Sequence, residues 1–157
     1  MSSATPTTRV FLITIAAVTV AAMTGCGMMN SMMNKQSNMV AFTTQLRASN
    51  EVPVNASTGT GSVDAVLNKD TSLFRWKANY SGLSGPATAG HFHGPAAVGA
   101  NAGVVLPWPT PMSASMEGSA TLTPAQVADL MAGRWYANVH TAANPGGELR
   151  GQMTVRN

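Results

Sequence analysis

The chemistry this chain can offer is concentrated in its histidines. Three occur in 157 residues, in two short motifs, His91-Phe92-His93 and Val139-His140. His91 and His93 are two apart in a stretch of strand character, so they share one face while Phe92 points to the other. Around His140 the apolar set is Trp135, Ala137 and Val139, and the alternating set is Tyr136, Asn138 and His140. All three imidazoles are therefore expected on the non-core faces of two strands. Two imidazoles at i and i+2, joined by one from a neighbouring strand, make a convergent three-nitrogen site. Imidazole nitrogen suits copper and zinc, and a site on the solvent side leaves a coordination position open. The same spacing also serves a hydrogen-bonded polar cluster, and it leaves both readings open.

Other side chains gather around these motifs. Asn138 and Thr141 are placed to orient His140 or to satisfy loop backbone. Glu51 is the candidate acidic partner of the histidines. Glu148 and Arg150 are two apart on one strand face, the pattern of an exposed ion pair. Arg150 has a second possible role, steering an anion toward the metal. Trp108, set among prolines, is either a surface aromatic for ligand contact or the plug of a loop. No serine is tied to the histidines and no phosphate-cradling loop is present, so neither hydrolase-triad nor nucleotide chemistry is expected.

The elements that must position these residues are mostly strands. Short runs of period two span 41–48, 61–67, 72–80, 88–94, 103–106 and 115–122, broken by Gly, Pro, Asn and Ser. Within 72–80, Phe74, Trp76, Ala78 and Tyr80 form the core face. One short helix follows, with Thr123 as N-cap, Pro124 at its first position and Gly133 as its stop. Val127, Leu130 and Met131 form its apolar stripe. Two last strands, 135–141 and 148–155, are joined by a turn at 143–147. The expected fold is all-β: an antiparallel Greek-key β-sandwich or flattened barrel with one short helix.

The first quarter of the chain does not read as a folding domain. Arg9 is the only charge before an apolar run over 10–23, too short to span a bilayer but right for a signal peptide. Met23-Thr24-Gly25-Cys26 resembles the lipobox of bacterial lipoproteins, with Met where Leu is usual. Residues 1–25 are thus expected to be a signal peptide, and Cys26 the lipidation site. The alternative is an ordinary leader with an incidental cysteine. Either way the protein is expected outside the cytosol: in the cell envelope or periplasm, held to the membrane by lipid, or else secreted. Cys26 is the sole cysteine, so no internal disulfide can form. Residues 26–39 form a methionine-rich tether carrying Met28, Met29, Met32, Met33 and Met39. It is either a plain linker or a soft-ligand tail for Cu(I). Residues 40–157 are the β domain. Charged residues make up only 10% of the chain, and the net charge of +3 has no basic run, so no nucleic-acid partner is expected.

Four blocks closely resemble the chordin-type (CHRD) domain. They are Asn50-Glu51-Val52-Pro53, then 89–95 around His91 and His93, then 133–141 ending in Val139-His140-Thr141, then Asn144-Pro145-Gly146-Gly147-Glu148-Leu149-Arg150-Gly151-Gln152. Order and spacing match from about Phe42 to Met153. The resemblance implies an extracytoplasmic β-sandwich domain. A weaker resemblance, to copper-zinc superoxide dismutases, covers the order His-x-His, Val-His and a late arginine. There such histidines ligate copper and the arginine attracts the anion. This chain lacks their disulfide, bridging histidine and zinc segment. The expectation is a copper protein of storage, delivery or protection, using His91, His93 and His140, with zinc as the alternative metal and a copper donor or acceptor protein as partner. The rival is a metal-free module that recognises a protein or surface polymer. Dismutase-like oxidoreductase chemistry comes third.

Overall fold

The computed structural model of the chain describes residues 38–156. The leader, Cys26 and the methionines before Met39 lie outside the described residues. Period-two alternation dictates the first three strands, β1 (Met39–Arg47), β2 (Thr60–Asn68) and β3 (Leu73–Ser81), which pair antiparallel. Phe42 and Leu46, then Val63, Ala65 and Leu67, then Phe74, Trp76, Ala78 and Tyr80 are buried on one face. Asp64, Arg75 and Lys77 alternate to solvent. A slip of one residue would reverse every one of these assignments. Burial therefore sets the register, in which Ala65 stands opposite both Phe42 and Trp76.

The other strands are β4 (Ala87–His93), β5 (Val104–Pro107), β6 (Ser115–Thr121), β7 (Tyr136–Thr141), β8 (Leu149–Gln152) and β9 (Thr154–Val155). They complete one antiparallel sheet in the order β5-β4-β7-β8-β1-β2-β3-β6, with β9 beside β1. The sheet curls until its two halves face each other. Phe92 of β4 meets Phe74 and Trp76 of β3 edge-on, with ring centroids 5.4 and 5.5 Å apart, and Trp135 meets Phe74 at 6.0 Å. Such pairs add about 0.5–1.5 kcal/mol each beyond their burial. The expected all-β architecture is present.

Helix α1 (Pro124–Met131) has the caps its sequence announces. Thr123 Oγ1 accepts from Gln126 N–H, and the Gln126 side chain accepts from Thr123 N–H. Gly133, at φ 68°, ends it: Gly133 N–H donates to Leu130 O and Arg134 N–H to Asp129 O. Leu130 is buried and Val127 packs on the core, but Met131 is half-exposed, because the helix touches the barrel only along a narrow line.

Three expectations are corrected by the packing. The last strand is two: at Met153 the chain leaves β7, so β8 lies between β7 and β1 while β9 pairs with β1 alone, and the Met153 side chain fills the core. Trp108 is neither a surface aromatic nor a loop plug. It is a core residue, packed against Trp76 with centroids 4.8 Å apart and planes tilted by 31°, and lying against Gly90, where any Cβ would overlap its ring. The third correction matters most. The outer face of β7 is not open to solvent, since all six of its residues are buried.

The cause lies in three connections that fold back over β4, β7 and β8: residues 94–103, 48–59 and 142–148. Gly94 N–H donates to Gly103 O at the base of the first. Gln152 Nε2 holds its Ala96 carbonyl at 3.0 Å. Asn101 Nδ2 donates to Val52 O, joining the first connection to the second. Asn55 Nδ2 donates to the Gly147 and Glu148 carbonyls, joining the second to the third. The sheet thus has an apolar core on one face and a roofed polar layer on the other.

Candidate metal centre

The histidines sit in that polar layer. β4 and β7 are neighbours, with His91 opposite Asn138, His93 opposite Tyr136 and Ala89 opposite His140. His140 is therefore diagonal to His91 on the same face, within reach of a long side chain. His91 Nδ1 lies 3.0 Å from His140 Nε2. Ligand nitrogens of all three rings come within 4.8 Å of one another. With metal–nitrogen bonds of about 2.05 Å, a 3.0 Å pair subtends about 94° at an ion. Two nitrogens on one ion stand at most about 4.1 Å apart. A pair at 4.8 Å must close by roughly 0.7 Å, a tilt of one ring. The cluster opens to solvent at His91, the least covered of the three.

Each ring has a different hold. His140 Nδ1–H donates to the Pro145 carbonyl at 3.0 Å, which leaves the lone pair on Nε2, facing His91. Burial, then the charges of His140 and His93, hold His91 down to about 4. Burial lowers His140 too, aided by His93 and opposed by the Pro145 carbonyl. Both rings are thus uncharged at neutral pH, the form that binds metal. His93 is more committed. Both its nitrogens face oxygen acceptors, Nδ1 at 3.0 Å from Ala102 O and Nε2 at 3.0 Å from Asn138 Oδ1, so a single ring proton serves one or the other. The ring is stacked flat on Tyr136, with centroids 4.8 Å apart and planes at 2°.

Tyr136 is supported in turn. The Arg150 guanidinium carbon lies 3.5 Å from its ring centroid. Since β7 runs between β4 and β8, the phenol is held between an imidazole and a guanidinium. Its hydroxyl accepts from Ala102 N–H at 3.2 Å and donates to Ala102 O at 3.3 Å. Arg150 Nη1 donates to Asn101 Oδ1 at 2.7 Å, and Nη2 donates to Ala100 O. It makes no ion pair with Glu148, contrary to expectation, because the roof gives each its own partners.

Glu148 is fully buried and accepts five hydrogen bonds. Ser57 Oγ and Ser84 N–H reach Oε1 at 2.6 and 2.7 Å. Ser84 Oγ, Thr141 Oγ1 and Asn144 Nδ2 reach Oε2 at 2.5, 2.6 and 3.1 Å. Burial alone would raise this carboxyl, but the Ser57, Ser84 and Thr141 bonds outweigh it and hold it at about 2. Thr141 therefore serves Glu148, not His140. Asn138 touches His93, not His140. Glu51 reaches the histidines only through Asn138; burial raises its carboxyl against the opposing Arg150 charge, Val52 N–H and Asn138 amide. Its Oε1 is buried without a hydrogen-bond partner.

The positions that sequence reasoning missed are Tyr136, Ser57, Ser84 and the carbonyls of Ala102 and Pro145. Tyr136 alone carried a signal, its place in the alternation with Asn138 and His140. Carbonyls carry none, since every residue has one.

The CHRD domain family model matches residues 42–153. The chain belongs to the CHRD domain family. The match begins in β1 and ends at Met153, between β8 and β9, so this CHRD domain includes all three histidines, Glu51, Asn138, Glu148 and Arg150. No curated protein and no solved structure matches the chain significantly.

Proposed function

We propose that this CHRD-domain protein binds copper through His91, His93 and His140, as a storage, delivery or protection protein of the cell envelope. One observation carries the reading: two uncharged imidazoles face each other with His91 Nδ1 and His140 Nε2 3.0 Å apart, a separation that a single ion can bridge. Copper comes ahead of zinc because imidazole sites bind Cu(II) more tightly in the divalent series. Thioethers also favour Cu(I), and Met28, Met29, Met32 and Met33 precede the domain. Export and lipidation at Cys26 would hold the protein at a membrane, where a copper donor or acceptor protein meets it. Arg150 is 2% exposed beneath Ala100 and Asn101, poorly placed to attract an anion, so the proposed role is binding rather than dismutase turnover.

The test is titration of the purified protein with Cu(II), read by spin-resonance spectroscopy. A nitrogen-coordinated signal at one equivalent is expected, and its loss in the His91→Ala/His140→Ala double variant. The rival reading rests on the same distance, since 3.0 Å is also a hydrogen bond. In a metal-free module the histidines brace the roof for a protein or polymer ligand. An unchanged signal in the double variant, or none in the parent, favours that rival and removes the copper reading.

A further inference from the structure

We propose that Asn138 is the positioning residue that decides whether His93 enters the site. It would thereby separate a two-histidine seat suited to Cu(I) from a three-histidine seat suited to Cu(II). The inference rests on the copper reading above and deepens it.

The three rings are not equally ready. His91 and His140 already face each other, and the remaining contact of His140 is to backbone, through Pro145 O. His93 has both nitrogens engaged. Its Nδ1 contact is rigid: Ala102 is fixed by the Tyr136 hydroxyl, and Tyr136 by Arg150. Its Nε2 contact is a side chain that can turn. Asn138 also meets the buried Glu51 carboxylate, which accepts from its amide nitrogen and not from the Oδ1 that faces His93. With the ring proton moved to Nδ1 and given to Ala102 O, release by Asn138 leaves the Nε2 lone pair free for an ion held by the other two.

The two copper oxidation states make different use of that third nitrogen. Cu(I) is satisfied by two or three donors. Cu(II) favours a tetragonal arrangement of nitrogen and oxygen ligands, so it gains more from each added imidazole. The Asn138–His93 bond therefore weighs against Cu(II) more than against Cu(I). One net hydrogen bond corresponds to a change of up to about tenfold in affinity.

The experiment compares the parent protein with Asn138→Ala and His93→Ala. Cu(I) and Cu(II) affinities are measured by competition with chelators of known strength, with spin-resonance counting of coordinated nitrogens and a melting curve without metal. Asn138→Ala should raise the ratio of Cu(II) to Cu(I) affinity up to about tenfold and strengthen the three-nitrogen signal, even as it lowers the metal-free melting temperature. His93→Ala should lower the same ratio and remove one nitrogen from the Cu(II) spectrum. Equal falls in both affinities on Asn138→Ala overturn the role given to Asn138 and leave the copper site standing. A parent protein that binds no copper overturns the site itself, and this role with it.

Discussion

Glu148→Gln is the sharpest probe of the roofed polar layer. The side chain is fully buried, and each carboxylate oxygen accepts at least one donor that cannot reverse. If the glutamine amide replaces Oε1 it faces Ser84 N–H, and if it replaces Oε2 it faces Asn144 Nδ2. The hydroxyls of Ser57, Ser84 and Thr141 can turn to accept; those two nitrogens cannot. The folded-state carboxyl sits at about 2 against 4.5 in the free side chain. At about 1.36 kcal/mol per pH unit, that gap sets an upper bound of roughly 3.4 kcal/mol. Re-pairing of the hydroxyls brings the expected loss to about 2–3 kcal/mol. For a domain of this size that is roughly 10 °C in melting temperature. The pH dependence follows from the sign: a depressed carboxyl stabilises the fold above 4.5 and loses that contribution as pH falls toward 2. Parent and variant, melted by circular dichroism, should differ by roughly 10 °C at pH 7, and the gap should shrink to roughly a quarter of that by about pH 2.5. A gap below about 3 °C at pH 7, or one of equal size at both ends, would refute the reasoning.

Two further outcomes are expected. The free imidazole value of 6.5 is lowered to about 4 in folded His91, so the unfolded chain takes up that proton first. The metal-free protein should lose stability as pH falls from 6.5 to 5, before carboxylates titrate, and His91→Gln should flatten that leg of a melting-temperature profile. At Gly90 an added Cβ would overlap the Trp108 ring. Gly90→Ala should therefore cost about 1–3 kcal/mol in a urea melt, and a neutral result would mean that Trp108 is free to move.

Much of the fold was legible because strands with one apolar face write themselves in alternation. Phe74-Trp76-Ala78-Tyr80 is such a record, and so is Phe92 between its histidines. The helix was legible from its caps, Thr123 and Gly133. The pairing of β4 with β7 was not, since no residue in either strand names its neighbour. Alternation also says which face a residue takes, but not what later covers that face. Glu148 and Arg150 therefore read as an exposed pair, although loops from three other places in the chain bury them apart. The same limit assigned Asn138 to His140, its near neighbour in sequence, when the ladder gives it to His93 on the adjacent strand.

The register also gives the domain two poles. Arg47, Arg150, Asn138 and His91 lie on one row of the sheet. Met39 begins the same β1 strand eight residues away, about 26 Å at 3.3 Å per residue. Whatever precedes Met39 therefore enters at the pole opposite the histidines, so the chain's entry to the domain and the opening at His91 lie at opposite ends of the sheet.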